Sequence, residues 1–303
     1  MRSFRLLSLL CLVAAIVRFP SSLASELSSE PSSREASSAT DPGFSTSPSR
    51  ESIQFVLITG LIRERRHWGE FPEKLTGALP GSTVLALENP GTGGLQHQPS
   101  PLSIPEFARR LRSSAGITDR RGRRVVIGFS MGGMIATSWI EQFPDDFEAA
   151  VLINTSLGRH SWFFRRLRLA NLLTFLRLGS SDEAATREQL ILDLNVNHLE
   201  LHDDLLPTWV GYHLEAPVTR VNALRQLLAA ALYRGRSEKP PIPVLLLAGR
   251  QDRLVSSTCS QDLAEAWGVP IVWHPTAGHF LTADDPAWTA AAIARWLERS
   301  ATP

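Results

Sequence analysis

From residue 53 onward, short apolar runs alternate with stretches of helical periodicity, and this alternation confines the chain to one broad class of fold. Residues 53–59, 83–87, 124–128 and 149–154 have the length and composition of buried strands, and Gly60 closes the first of them. Residues 71–78, 104–114 and 131–142 lie between these runs and read as helices. The pattern resumes with strands over 243–249 and 271–273, a helix near 261–267 and a last helix over 287–299. Strands and helices joined by short connections imply an α/β domain, with a mostly parallel sheet flanked by helices on both faces. The alternation breaks once. Residues from about 157 to 240 are helical in pattern with no clear strand, which reads as an all-helical cap inserted over a site.

The first fifty residues belong to a different regime. Arg2 and Arg5 precede an apolar stretch from Leu6 to Val17, and Ser22-Leu23-Ala24 follows. Residues 1–24 therefore resemble a secretory signal or a short anchor; the stretch is too short for a comfortable membrane span. The competing reading is a dispensable extension or a misassigned start on a cytoplasmic enzyme. Residues 25–51 are rich in Ser, carry Pro31, Pro42 and Pro48, and read as a disordered linker. The ordered domain is expected over 52–303.

Charge excludes some partners. Lys and Arg number 31 against 30 Asp and Glu, so no net charge draws the chain to nucleic acid. The local clusters Arg63-Glu64-Arg65-Arg66 and Arg120-Arg121-Gly122-Arg123-Arg124 read as solvated surface or loop, and no nucleic-acid motif accompanies them. Cys11 and Cys259 are the only cysteines, too few for a disulfide framework.

Gly128-Phe129-Ser130-Met131-Gly132 is a G-x-S-x-G pattern between an expected strand and an expected helix. A serine on so sharp a turn needs small neighbours, and the following helix directs its first amides and its dipole toward a developing oxyanion. Ser130 is the candidate nucleophile. Its hydroxyl needs a base, and the base an orienting acid, in the order serine, acid, histidine. Asp252 follows the strand at 243–249 and His279 follows the strand at 271–273, so both fall at strand ends. His274 is more at home on its strand, Asp262 on a helix, and Asp284 and Asp285 at a helix start as caps. The backbone amides of Met131 and Leu61 are the candidate oxyanion donors. His198 and His202 have helical i,i+4 spacing, but Leu199 stands where a zinc-protease motif needs glutamate, so no metal is expected. In the insertion, Trp162, Phe163 and Trp209 are the candidate substrate-binding residues; the alternatives for its apolar stretches are packing on the domain or contact with a membrane surface.

From residue 53 to the C-terminus the chain resembles the α/β-hydrolase superfamily, and in particular small bacterial carboxylesterases of the pimeloyl-carrier-protein methyl ester esterase kind. The residues that carry the resemblance are Gly128-Phe129-Ser130-Met131-Gly132-Gly133, Gly249-Arg250-Gln251-Asp252-Arg253-Leu254-Val255, Ala277-Gly278-His279, and the turn Asn89-Pro90-Gly91-Thr92-Gly93. The resemblance implies a Ser130–His279–Asp252 triad, no cofactor, and a helical cap that shapes the choice of a small-molecule ester. The family's usual His-Gly before the oxyanion loop is Thr59-Gly60 here, and the linker leads almost straight into Ile53, without an opening hairpin. The same triad would serve thioesters, lactones, lipid esters or acyl transfer, and a non-catalytic binding protein on this fold is the alternative from another class.

Overall fold

The computed structural model describes residues 52–117 and 122–300. The signal-like segment and the Ser-rich linker lie outside the described residues, as do Arg120 and Arg121. Within the described residues the apolar runs form one six-stranded sheet: β1 (Ile53–Ile58), β2 (Thr83–Leu87), β3 (Arg123–Phe129), β4 (Ala149–Ile153), β5 (Val244–Gly249) and β6 (Ile271–His274). The order across the sheet is β2-β1-β3-β4-β5-β6, and every pairing is parallel.

Both faces of this sheet are covered, which is why its central strands read as continuous apolar runs. Alternate residues feed two cores. Phe55, Leu57, Val125, Ile127 and Leu245 face one side, where Phe71 and Leu75 of α1 (Phe71–Ala78) meet Ile293 and Trp296 of α11 (Pro286–Ser300). Val56, Ile58, Val126, Leu152 and Leu246 face the other, against Phe107 of α2 (Ile104–Ser114), Ile135 and Trp139 of α3 (Met131–Gln142) and Leu263 of α9 (Thr258–Trp267).

After β1 the chain first builds outward to β2 and then returns to the other side as β3. The carboxyl ends of β1 and β3 therefore flank a switch in strand order, where the two connections leave in opposite directions and open a crevice. Ile58 is paired with Gly128, so both strands end at the same level.

Between β4 and β5 the described residues form helices and no strand. These are α4 (Phe163–Arg166), α5 (Leu172–Ser180), α6 (Ala184–Asn195), α7 (His202–Glu215) and α8 (Arg220–Leu232). The segment joins the first core through Ile191, Leu192, Val196 and Trp209, which pack with Phe280 just after His279. Two short pieces complete the rim: a tight turn at Arg65–Trp68 and α10 (Leu281–Asp284). No helix among the described residues is long and apolar enough to cross a membrane.

Candidate active site

Ser130 occupies the turn between β3 and α3 with φ 54° and ψ −115°. Such a conformation costs about 1–3 kcal/mol and persists only where its surroundings enforce it. Close approach does so here. A Cβ on Gly132 would lie 2.0 Å from the Ile58 carbonyl oxygen, and one on Gly128 would lie 2.5 Å from that of Gly132. Only glycine lets β1, β3 and α3 meet this closely. The other non-glycine residues with positive φ among the described residues are Ile62 and Asn154, on the loops after β1 and β4. All three stand just beyond carboxyl ends of strands, on one rim of the sheet.

The structure brings Ser130, His279 and Asp252 together. His279 Nε2 lies 2.9 Å from Ser130 Oγ, and its Nδ1 lies 2.7 Å from Asp252 Oδ2. His279 and Asp252 are 1 % and 2 % exposed, so bulk water does not compete for these bonds. The other carboxylate oxygen of Asp252 accepts from the amides of Leu254 (2.9 Å) and Val255 (2.8 Å). A buried carboxylate is tolerated when its acceptors are satisfied in this way.

The loops that carry the acid and the histidine are tied to each other and to the helical segment. Asn154 Nδ2 donates to the carbonyls of Gly278 and His279, and its Oδ1 accepts from the amide of Gly249 (3.0 Å). Asp284 accepts from the amide of Gly278 with one oxygen (2.6 Å) and from those of Asn197 and His198 with the other (2.8 and 3.0 Å). Sequence reading gave Asp284 the role of a helix cap; it is a clamp between the histidine loop and the helical segment. Asp285 does cap, accepting from the amide of Trp288 at 2.9 Å. Phe280 stacks on Phe129 with ring centres 4.5 Å apart, and Phe129 lies 5.1 Å from the His279 ring.

Met131 is the first residue of α3, and Leu61 lies on the loop facing it. A Cβ on Gly60 would sit 3.2 Å from Ser130 Cβ, which shows how near that loop comes. Hydrogen bonds of the two turns use the amides of Ser130, Gly133, Ile62 and Arg63 and leave those of Leu61 and Met131 unengaged among the described residues. Thr59 donates from Oγ1 to the Arg63 carbonyl (2.9 Å) and accepts from Asn89 (3.1 Å), while Gln226 of α8 accepts from the Ile62 amide (2.8 Å). Thr59, Asn89 and Gln226 thus fix the path of a loop that departs from the family's usual sequence.

Above Ser130 and His279 lies a cavity enclosing about 1050 Å³ of space, part of it open to solvent. Its walls are mostly apolar: Leu61, Phe129, Phe175, Leu178, Ile191 and Leu227. Three arginines, Arg63, Arg187 and Arg220, also line it. Trp162, Phe163 and Trp209, expected as substrate contacts, do not. Trp162 is 53 % exposed and stacks on Phe164, and Phe163 beside it is half-buried. Trp209 is buried behind the site, with Phe280 at 5.5 Å, His67 at 5.3 Å and the Arg63 guanidinium 5.2 Å above its ring. Hydrophobicity marked these aromatics, but which way each one faces is set by the turn of its helix. The true lining, Phe175, Leu178 and Gly179, follows the i, i+3, i+4 face of α5.

The cluster Arg63-Glu64-Arg65-Arg66 is not simply solvated. Arg63 and Glu64 are buried, and Arg63 Nη1 binds Glu188 of α6 at 2.9 Å and His67 Nε2 at 2.8 Å. His213 completes the network at 3.1 Å from Glu188. Burial pushes Glu188 up, but the charge of Arg63 and the hydrogen bonds from His213 and Arg63 outweigh it and hold the carboxyl at about 2. Burial, reinforced by the Arg63 charge, lowers His67 well below the ordinary histidine value.

The rejected candidates have structural partners. His274 Nδ1 accepts from the amides of Thr276 and Ala277, and Asp262 pairs with Arg165. His198 contacts Asp284 and Thr276, while His202 contacts Val196; no metal-binding cluster occurs among the described residues. Burial pushes the Cys259 thiol up to about 11, which suppresses it as a nucleophile.

Comparison with known proteins identifies the family and the fold. The sequence profile of the Alpha/beta hydrolase family matches residues 55–292. A protein of Cronobacter turicensis assigned as a carbamate hydrolase, RutD, is 27 % identical over 228 residues, covering 70 % of this chain and 78 % of that one. Among solved structures, a thermophilic esterase from Thermogutta terrifontis superposes with a TM-score of 0.64 at 21 % identity, covering 83 % of this chain and 92 % of that one. An enol-lactonase from Burkholderia xenovorans also gives a TM-score of 0.64, at 17 % identity, with 82 % and 92 % covered.

Proposed function

The chain belongs to the alpha/beta hydrolase family, and on that footing we propose that it is a serine hydrolase that cleaves a small or medium carboxylic ester through an acyl-enzyme. One observation carries the reading: the hydrogen-bonded line from Asp252 through His279 to Ser130 ends at the floor of an apolar cavity. His279 Nε2 takes the Ser130 proton as Oγ adds to the ester carbonyl. Asp252 holds the Nδ1 proton and steadies the imidazolium. The amides of Leu61 and Met131 receive the oxyanion, which the start of α3 further stabilises. Collapse breaks the bond to the alkoxy oxygen, which leaves as alcohol with the proton from Nε2. Water then repeats the sequence on the acyl-enzyme and releases the acid. The helices between β4 and β5 act as a cap, since they supply most of the cavity wall and none of the three reacting side chains.

A lactone or a carbamate presents the same carbonyl to Ser130, and the names of the relatives make both worth assaying. The test is a panel of p-nitrophenyl esters of increasing acyl length, with a lactone and a carbamate, on the wild-type protein and Ser130→Ala. Turnover of short and medium esters that disappears in Ser130→Ala is expected. Turnover that survives the substitution would overturn the reading.

A further inference from the structure

We infer that the ester this cavity takes carries a free carboxylate at a distance from the reacting carbonyl, and that Arg187 is the residue that binds it. The inference rests on the serine-hydrolase reading and goes beyond it by assigning the charge of the substrate.

The three arginines of the cavity wall differ in how far they are already satisfied. Arg63 has its charge matched by the buried Glu188, and the same nitrogen, Nη1, also meets His67. Arg220, on α8, is paired with the exposed Asp182. Arg187, half-buried on α6, makes no ion pair among the described residues. Its Nη1 donates to the carbonyls of Leu178 (2.7 Å) and Ser181 (3.1 Å), and its remaining nitrogens have no partner there. Three guanidinium groups against two carboxylates leave one positive charge in excess on a mostly apolar wall. Burial lowers the Arg187 pKa; the charges of Glu188 and Asp182 offset part of that effect, and those of Arg220 and Arg63 add to the lowering. A bound anion would relieve it.

A neutral ester would leave this cation partly desolvated and unpaired, whereas a carboxylate could take up the free edge of the guanidinium in a two-bond fork. One excess charge matches a monoanion better than a phosphate dianion. The bonds to Leu178 and Ser181 also tie α5 to α6, so Arg187 has a clamping role as well. That role accounts for Nη1 and leaves the rest of the group unexplained.

The experiment compares two substrates of the full chain: the mono-p-nitrophenyl ester of adipic acid, which is anionic, and p-nitrophenyl isooctanoate, its neutral counterpart of similar shape. The readout is the ratio of their kcat/KM values, each corrected for spontaneous hydrolysis. In Arg187→Met this ratio should fall roughly tenfold or more, mainly through KM for the anionic ester, and Arg187→Lys should restore part of it. A ratio unchanged in Arg187→Met, even with both rates lowered, would make Arg187 a clamp only and overturn the inference. Calorimetry of adipate with Ser130→Ala separates the two readings. If no ester is turned over, the hydrolase reading fails by itself, and saturable adipate binding that is lost when Arg187→Met is added still decides for the anion site. Absence of saturable binding decides against it.

Discussion

The carboxyl rim of the sheet and the helical segment above it meet at Ser130, but they are held by different means. The rim is fixed by main-chain contacts without slack: glycines where a Cβ would strike a carbonyl, three residues at positive φ, and side chains that accept or donate to backbone of neighbouring loops. The helical segment is held by side chains that reach across long sequence separations, above all the Arg63–Glu188–His213 network. It also leaves apolar surface uncovered, with Leu173 70 % and Trp162 53 % exposed. A rim built from backbone preserves the geometry of a reaction, while a cover built from side chains can change its lining without disturbing that geometry. The proposed chemistry therefore belongs to one region and the proposed selectivity to the other.

The largest effect that would sharpen this contrast is expected at the rim, from Asp252→Asn. Asp252 Oδ1 accepts two amides, so the amide oxygen of the asparagine is kept there and its NH2 group is turned toward His279. The ring is then driven to the tautomer that carries its proton on Nε2, facing Ser130. We expect kcat to fall about ten-thousandfold with little change in urea stability; a loss below tenfold would break the account of the rim.

In the other region the large effect is on stability. Glu188→Ala strands the buried Arg63, and urea unfolding should show a loss of about 3–5 kcal/mol. An unchanged midpoint would mean that the network does not hold the segment. Gly132→Ala sets a Cβ against the Ile58 carbonyl and should cost roughly 1–3 kcal/mol or more, together with activity.

The network also predicts a pH dependence. Glu188 at about 2 and His67 well below the ordinary histidine value of 6.5 are both depressed in the folded protein, so the unfolded chain binds more protons. The contribution of these two groups is therefore fully present above about pH 6.5. The His67 share is lost as pH falls below that value, and the Glu188 share as pH falls from 4.5 toward 2, each at no more than about 1.4 kcal/mol per pH unit. Urea titrations at several pH values check this; stability that stays flat or rises on acidification contradicts it. The smallest effect is a gain. Gly211, inside α7, has open space where a Cβ would stand, and Gly211→Ala should add about 0.5–1 kcal/mol. A loss there would show that the segment is packed as tightly as the rim.

The same contrast explains what could be read from the sequence. Strand runs, the Ser130 turn, and the order of Asp252 and His279 are local patterns, and the structure places them within a residue or a few of where the patterns end. Asp252 and His279 were found because both follow strands directly. The Arg63–Glu188 pair spans 125 positions and has no local signature, so Arg63 passed for surface. The roles of Asn154 and Asp284 have no local signature for the same reason: their work is done on backbone far along the chain. Trp162, Phe163 and Trp209 were chosen for their hydrophobicity, which says that a side chain has reason to leave water but not whether it enters a cavity, a core or neither. Arg187 carried no signal at all, because a single arginine on a helix looks like solvated charge until its neighbours are known.

The central claim is that Ser130 is the nucleophile activated by His279. It is tested most directly by incubating the protein with a fluorophosphonate and locating the adduct by peptide mass. The account predicts stoichiometric modification of the peptide that carries Ser130, slowed sharply in His279→Ala and absent in Ser130→Ala. Folded protein that is left unmodified, or modified elsewhere at the same rate in Ser130→Ala, would contradict it.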